Sequence, residues 1–178
     1  MEITKDKFIL DATAGFRKMW YNKKNPDVLY LDERPECEPD VVGDYRNLKD
    51  FADNTFNLVV FDPPHVVRST KFYTMRMVRD FGQLNPDTWE MDLKKAFKEL
   101  FRVLKPFGFL IFKWSNHHIP SNKIIKLAGI EPLFYQISAN KDRVNKQDKR
   151  KKIPFKGTDF VQTLWFCFMK KPEIKEKA

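Results

Sequence analysis

Cysteine and long apolar runs are scarce in this chain of 178 residues. Only Cys37 and Cys167 are present, and two cysteines cannot build a disulfide framework or a cysteine-rich metal site. No apolar run reaches the roughly 18 residues that cross a bilayer, and the first ten residues lack the apolar core of a secretory signal. We therefore expect a reduced, cytoplasmic protein that does not associate with membranes.

Glycine is also scarce, with six residues in the whole chain. Neither the dinucleotide pattern G-x-G-x-x-G nor the phosphate-loop pattern G-x-x-x-x-G-K-S/T occurs, which excludes the standard forms of those two sites. His117 and His118 are adjacent, so in an extended chain they cannot both face one ion, and no third ligand stands near them. No metal site is predicted.

Positive charge is abundant and uneven. Lys and Arg number 33 against 24 Asp and Glu, a formal net charge of +9. Segment 141–158 alone holds eight basic and two acidic residues, and includes Lys149, Arg150, Lys151 and Lys152. Such a tract indicates a polyanionic partner, with a solvated lysine-rich loop as the alternative.

Strand and helix patterns alternate along the chain, which predicts an α/β protein with a mostly parallel sheet. Apolar residues recur at helical spacing between 88 and 104, and breakers at Pro106 and Gly108 follow. A shorter helix is predicted to begin with Ser121 as its cap and to end before Gly129. Strands are predicted at 8–11, 28–32, 41–43, 56–61, 109–112, 133–137 and 160–170. The last is apolar on both alternating faces, which favours an interior position.

The first predicted strand runs into a turn of small residues, with Asp11, Ala12, Thr13 and Gly15. We expect this turn to join the strand to a helix and to let a ligand approach the backbone closely. Asp32 ends the second strand, where an acid can accept hydrogen bonds from ribose hydroxyls. These features predict a nucleoside-type ligand, with an ordinary tight turn as the alternative.

The stretch FNLVVFDPPH, residues 56–65, ends a buried strand with a carboxylate, two prolines and a histidine. Together with DATAG after the first strand and an acid after the second, it resembles class I S-adenosylmethionine-dependent methyltransferases. More narrowly, Asp62-Pro63-Pro64-His65 is similar to the Asp-Pro-Pro-aromatic signature of amino-methyltransferases. The chain resembles small methyltransferases encoded in phages and prophages. The resemblance implies a Rossmann-like sheet of seven strands, with an antiparallel last strand and helices on both faces.

The resemblance also implies a reaction, the methylation of the exocyclic amino nitrogen of adenine or cytosine. That nitrogen is a poor nucleophile because its lone pair is delocalised into the ring. Asp62 and the carbonyl of Pro63 would each accept a hydrogen bond from one of its two N–H groups. The locked φ of proline would fix the direction of the carbonyl. His65 stands where an aromatic ring would stack on a flipped base, and it is a departure from the usual Tyr, Phe or Trp.

The cofactor implied is S-adenosylmethionine, and its expected binding residues follow from the matched motifs. They are Asp11, Ala12, Thr13, Gly15, Asp32, Asp44 and Asp62. Thr13 and Phe16 replace two glycines that are usual in the first turn. Asp44 follows the third strand, where the family usually contacts the adenine ring of the cofactor.

One catalytic domain is expected over residues 1–170, followed by a charged tail at 171–178. The chain has no room for a separate recognition domain, so residues 66–91 and 141–158 are the candidate recognition insertions. The first supplies Arg68, Lys71, Tyr73 and Arg76, and the second the basic tract, which could contact phosphates. Such short segments favour a short target sequence, or the help of a homodimer or a second protein.

The favoured hypothesis is methylation of adenine in DNA. The same reaction on ribosomal or transfer RNA is the second, and a non-catalytic nucleic-acid-binding protein with this fold is the third. The intact DPPH motif argues against the third. A small-molecule methyltransferase is the fourth, and the basic tract argues against it.

Overall fold

A computed structural model describes residues 6–67, 81–116, 118–139 and 162–172. It contains strands β1 (Ile9–Asp11), β2 (Val28–Asp32), β3 (Val41–Val42), β4 (Phe56–Phe61), β5 (Leu104–Ser115), β6 (Phe134–Ala139) and β7 (Gln162–Met169). The helices whose bounds lie within these described residues are α1 (Trp89–Val103) and α2 (Ser121–Ala128), and one turn of 3-10 helix covers Pro35–Cys37. The predicted strands are all present.

The strands form one sheet in the order β3-β2-β1-β4-β5-β7-β6. Pairing is parallel from β3 through β5, whereas β7 is antiparallel to both of its neighbours. The prediction of an antiparallel last strand in an interior position is therefore confirmed. Because β1 lies between β2 and β4, the carboxyl ends of these three strands meet at one edge of the sheet. That edge is where open α/β sheets bind ligands.

Both described helices cover the same face of the sheet. Leu93, Phe97 and Leu100 of α1 are fully buried, and they share one apolar core with Ile124 of α2 and with Phe112 of β5. Successive side chains of a strand point to opposite faces of the sheet. Every second residue of β5, namely Leu110, Phe112 and Trp114, therefore points to the helical face and is buried. Helices on the opposite face stay a prediction.

The caps of α2 differ in part from expectation. Gly129 has φ +72° and ends the helix, as predicted. Ser121, however, does not cap the helix. Pro120 holds the cap position, and no side chain bonds the free amides of the first turn. Proline sets a suitable φ there, so the helix begins at Ser121, one residue earlier than it would with Ser121 as its cap.

Strand β5 begins five residues earlier than its sequence indicates. Leu104 pairs with Phe56, and the next pair joins Phe109 to Leu58, so the intervening residues bulge out of the ladder. Phe107 has φ +63° in this bulge, and its amide donates to the carbonyl of Lys170 at 2.8 Å. Pro106 and Gly108 are strand breakers in sequence, but a bulge tolerates both.

The segment between β1 and β2 is not a helix, so the expected strand-to-helix turn is wrong. Hydrogen-bonded turns occupy it, with Arg17 N donating to Ala14 O at 2.8 Å and Trp20 N to Arg17 O at 3.2 Å. The segment lacks an apolar stripe at helical spacing. Instead, Trp20 packs with Ala14, Val28 and Tyr30 on the face of the sheet opposite α1.

Within the described residues, no helix is long and apolar enough to span a membrane. Cys37 and Cys167 are buried free thiols. Burial raises the pKa of both thiols, so the unreactive protonated form is favoured.

Candidate active site

A pocket of about 290 Å³ lies at the carboxyl ends of β1, β2 and β4. Its wall is contributed by residues 12–16, 32–34, 62–66 and 81–82, together with Lys18, Met19, Tyr45 and Lys113. The first turn, the end of β2 and the DPPH motif therefore border one space, as the sequence predicts. Two of the expected residues, Asp11 and Asp44, do not lie on this wall.

Asp11 supports the first turn from beneath. Its side chain is 1% exposed, and its two oxygens accept hydrogen bonds from Trp20 Nε1 at 2.6 Å and Thr13 N at 3.1 Å. Burial raises the pKa of the Asp11 carboxyl to about 6, although both hydrogen bonds lower it. Asp11 therefore shapes the loop that faces the pocket, and any effect on a ligand passes through that loop.

The raised pKa of Asp11 predicts a pH-dependent stability. Because the folded pKa of about 6 exceeds the ordinary aspartate pKa of 3.8, the stability that the protonated carboxyl contributes is complete below about pH 4. It is lost as pH rises through about 6. Relative to Asp11→Asn, the free energy of unfolding of the unmodified protein should fall by on the order of 2 to 3 kcal/mol between pH 4 and 7. Urea titrations of both proteins measure this difference, and a difference that is constant with pH would contradict it.

Thr13 joins the first turn to the DPPH motif. Its hydroxyl oxygen accepts a hydrogen bond from the backbone N–H of Asp62 at 2.8 Å. A glycine, which the resemblance implies at this position, could not make that bond. Gly15 follows with φ +48°, a left-handed conformation that side chains rarely adopt, and its N–H donates to Asp32 Oδ2 at 2.7 Å.

Asp44 contacts its own loop and not the pocket. Arg46 Nε lies 2.9 Å from both Asp44 carboxylate oxygens, and the Arg46 backbone N–H donates to Oδ1 at 2.8 Å. Burial opposes the charged form, but these hydrogen bonds outweigh it and hold the pKa of Asp44 below its usual range. The neighbouring Tyr45 lies on the pocket wall and meets Phe61 edge to face at 5.1 Å. A ring at this position offers a flat surface to a ligand.

Asp62 is the carboxylate at the centre of the pocket wall. Its Oδ2 accepts a hydrogen bond from Lys113 Nζ at 2.6 Å, and both side chains are only partly exposed. Pro63 is buried beside it, which fixes the direction of the chain. Charge-assisted bonds of this length are the strong ones, so the ion pair orients the carboxylate.

His65 carries an unused polar atom. Its imidazole meets Trp114 edge to face at 6.3 Å, and burial lowers its pKa, so the neutral ring dominates near pH 7. Among the described residues, its buried Nδ1 has no hydrogen-bond partner. Buried polar atoms are nearly always paired in folded proteins, so this nitrogen is one of the site's exceptions among the described residues.

Phe81 and Gly82, in a segment that returns to the DPPH motif, also border the pocket. Leu84 N donates to Val66 O at 2.8 Å, and Gly82 has φ +73°. A Cβ atom at Gly82 would lie 3.0 Å from Pro64 Cγ, so only glycine lets this segment pack on the second proline. Phe81 thereby reaches the pocket wall.

Lys113 is one of the site residues that sequence reasoning missed. A usable signal exists, since Phe61 pairs with Phe112 in the parallel β4–β5 ladder. The next residues along, Asp62 and Lys113, are therefore neighbours at the sheet edge. Lys113 Nζ also lies 5.5 Å from the ring centre of Trp165 on β7.

Several predicted substrate contacts lie outside the described residues. They are Arg68, Lys71, Tyr73 and Arg76 of the first insertion, and Lys149, Arg150, Lys151 and Lys152 of the basic tract. Both recognition insertions remain predictions from sequence.

No protein-family model matches the chain, and no curated protein matches it. Solved structures do. An S-adenosylmethionine-dependent methyltransferase from Methanosarcina mazei is 15% identical, covers 95% of this chain and 94% of its own, and superposes with a TM-score of 0.53. A protein from Pyrococcus horikoshii is 16% identical over 92% of this chain and 81% of its own, with a TM-score of 0.53.

A third match is the 16S rRNA (adenine(1408)-N(1))-methyltransferase of Catenulisporales acidiphilia, whose structure contains S-adenosylmethionine. It is 9% identical, covers 99% of this chain and 92% of its own, and has a TM-score of 0.52. At these identities the similarity concerns the fold. The chain has the fold of S-adenosylmethionine-dependent methyltransferases, which confirms the predicted fold class.

Proposed function

We propose that this protein is an S-adenosylmethionine-dependent methyltransferase that modifies the exocyclic amino nitrogen of a nucleic-acid base, with adenine in DNA as the favoured substrate. The observation that carries the proposal is the pocket wall formed by Asp62, Pro63 and His65. A carboxylate, a proline-fixed backbone and an imidazole border one pocket at the carboxyl ends of the strands, and the imidazole Nδ1 has no partner among the described residues. A carboxylate and a fixed carbonyl are acceptors that suit the amino group of a planar base.

The residues of the pocket fit the proposed cofactor in most respects. The left-handed Gly15 leaves the first turn open to close approach, and Tyr45 offers a ring surface. Lys18 is a cation on the wall that an anionic carboxylate group can meet. The acid at the end of β2 is present as Asp32, although its carboxylate oxygens already accept hydrogen bonds from Gly15 and Arg34.

The proposed chemistry needs orientation more than a strong base. S-adenosylmethionine supplies an electrophilic methyl group on a sulfonium, whose C–S bond breaks as the new N–C bond forms, leaving a neutral thioether. Asp62 accepts a hydrogen bond from one N–H of the amino group, and the Pro63 carbonyl accepts a hydrogen bond from the other. These two hydrogen bonds localise the lone pair on the nitrogen. The Asp62 carboxylate then takes the proton that the methylated nitrogen loses. Holding both reactants in line supplies much of the rate acceleration.

His65 is proposed to contact the base that has left its stack. Its ring is neutral near pH 7, so it adds no positive charge beside the developing cation on the amino nitrogen. Its Nδ1, which no described residue bonds, would meet a polar group of the base or its sugar. The basic tract at 141–158 supports a polyanionic substrate, since cations that contact phosphates supply sequence-independent affinity.

The test is a nucleoside census of cells that produce the protein. Total DNA and RNA from a host expressing the unmodified protein, and from one expressing Asp62→Ala at equal level, are digested and analysed by mass spectrometry. We expect N6-methyladenine in DNA only with the unmodified protein. The same mark in RNA would move the substrate to RNA, and the absence of any new methylated base would contradict the proposal.

A further inference from the structure

The carboxylate of Asp32 has no acceptor position left for a ribose. Oδ1 accepts the backbone N–H of Arg34 at 3.0 Å and its Nε at 2.9 Å. Oδ2 accepts the N–H of Gly15 at 2.7 Å and Arg34 Nη2 at 3.2 Å. An ionised carboxylate offers about four lone-pair sites, so these four bonds saturate it. The side chain is also only 5% exposed.

This saturation conflicts with the role that the sequence predicts for Asp32. A ribose hydroxyl can bond it only by displacing one of these donors, and Arg34 makes three of the four bonds. Arg34 is held firmly, because its guanidinium bonds both oxygens of Asp32 and the pair is largely buried. Its Nη2 would also lie 3.2 Å from a Cβ atom on Gly15, so the guanidinium packs against the first turn. Arg34 and Asp32 thus brace the turns after β1 and β2 together.

The next residue along has the capacity that Asp32 lacks. Glu33 lies on the pocket wall, and its side chain is 60% exposed. Its nearest described cation is Arg46, whose Nη2 is 4.0 Å from Glu33 Oε2, at the limit of an ion pair. Both oxygens of Glu33 can therefore accept further hydrogen bonds without breaking a strong one.

We infer that Glu33, and not Asp32, binds the ribose hydroxyls of the cofactor, while Asp32 and Arg34 form a fixed brace between two turns of the pocket. The inference rests on the proposed function, because it assumes that an adenosine-containing cofactor occupies this pocket. Glu33 would then bind the ribose one position after Asp32, the acid for which the sequence predicts this role. The alternative is that Arg34 swings away and frees Asp32.

Calorimetry with two ligands separates Glu33 from Asp32. S-adenosylhomocysteine and its 2′,3′-dideoxyribose analogue are titrated into the full-length protein and into Glu33→Gln. Hydrogen bonds to a charged group are worth roughly tenfold to a hundredfold in affinity, so the unmodified protein should lose about that much with the analogue. Glu33→Gln should bind S-adenosylhomocysteine about tenfold more weakly and should barely distinguish the two ligands. Glu36→Gln, an exposed acid off the pocket wall, is the matched control and should behave like the unmodified protein.

Arg34→Ala tests the alternative directly, with Arg34→Lys as a milder variant should the alanine protein melt early. If Arg34 must leave for the ribose to bind, its removal should tighten S-adenosylhomocysteine binding. If it is a brace, affinity should fall or stay unchanged. Tighter binding by Arg34→Ala, or full ribose discrimination by Glu33→Gln, would overturn the inference and leave the proposed function intact. A folded protein that binds no S-adenosylhomocysteine at millimolar ligand would overturn both.

Discussion

Asp62→Ala should reduce methyl transfer by on the order of a hundredfold to a thousandfold, which is the typical cost of removing one preorganised polar group from an active site. The variant loses the side-chain acceptor for the amino group, so the lone pair of the nitrogen is no longer aligned with the methyl group. The fold should persist, because the carboxylate bonds only Lys113 among the described residues while the Asp62 backbone N–H keeps its bond to Thr13. The measurement is transfer of labelled methyl groups to a duplex and to RNA.

Two variants sharpen this result. Asp62→Asn keeps an acceptor oxygen and should retain more activity than Asp62→Ala. Asp50→Ala removes an exposed aspartate from a loop and should leave the rate unchanged. S-adenosylhomocysteine affinity of Asp62→Ala, measured by calorimetry, should stay within a few-fold of the unmodified protein. Transfer by Asp62→Ala at the unmodified rate would mean that DPPH is only a turn.

The strands were predictable because their signals are local. Strand β4 matches its predicted bounds because an apolar run is followed directly by Asp62 and a proline. Strand β5 starts earlier than its sequence indicates because its first residues are held by distant partners, the β4 strand at Phe56 and the backbone of Lys170. Residues 104–108 contain a proline and a glycine, and local rules favour a break there. Only the long-range pairing makes the bulge.

The sequence was enough to predict which strand ends border the site. It was not enough to predict which side chains bond one another there. The sequence places Asp11, Asp32 and Asp62 at neighbouring ends, and all three are found there. It does not reveal that Asp11 turns under its loop to bond Trp20, because that bond depends on a segment that forms turns instead of a helix. Nor does it reveal that Arg34, two residues after Asp32, folds back and saturates it. Such contacts depend on side-chain direction, which strand and helix patterns do not specify.

The contact of Lys113 with Asp62 is another that sequence patterns do not specify. It is 51 residues from Asp62 in sequence, and its position in the short stretch FKWSN carries no motif of its own. The contact follows only once β4 and β5 are known to be adjacent and in register. Because Lys113 reaches the substrate through Asp62, we regard it as a positioning residue, and its removal should therefore act on the rate more than on binding.

Lys113→Met should lower kcat for methyl transfer by roughly a hundredfold, because an unrestrained carboxylate displaced by about 1 Å can cost that much. The flexible methionine keeps most of the packing volume of the lysine stem. The KM for nucleic acid and the affinity for S-adenosylhomocysteine should change little, whereas a collapsed pocket would weaken both. Lys113→Arg should restore part of kcat, since a guanidinium can also donate to Asp62 Oδ2.

The matched control for Lys113→Met is Lys105→Met, at the other end of the same strand. Lys105 bonds the side chain of Asn57 at 2.8 Å, far from the carboxyl ends of the sheet, so its loss should leave kcat unchanged. Combining Lys113→Met with Asp62→Ala adds a further check. If Lys113 acts only by holding Asp62, the double variant should be no slower than Asp62→Ala alone, because the two residues work as one unit. A further tenfold loss in the double variant would show that Lys113 contacts the reactants itself, and an unchanged kcat in Lys113→Met would show that Asp62 needs no orienting partner.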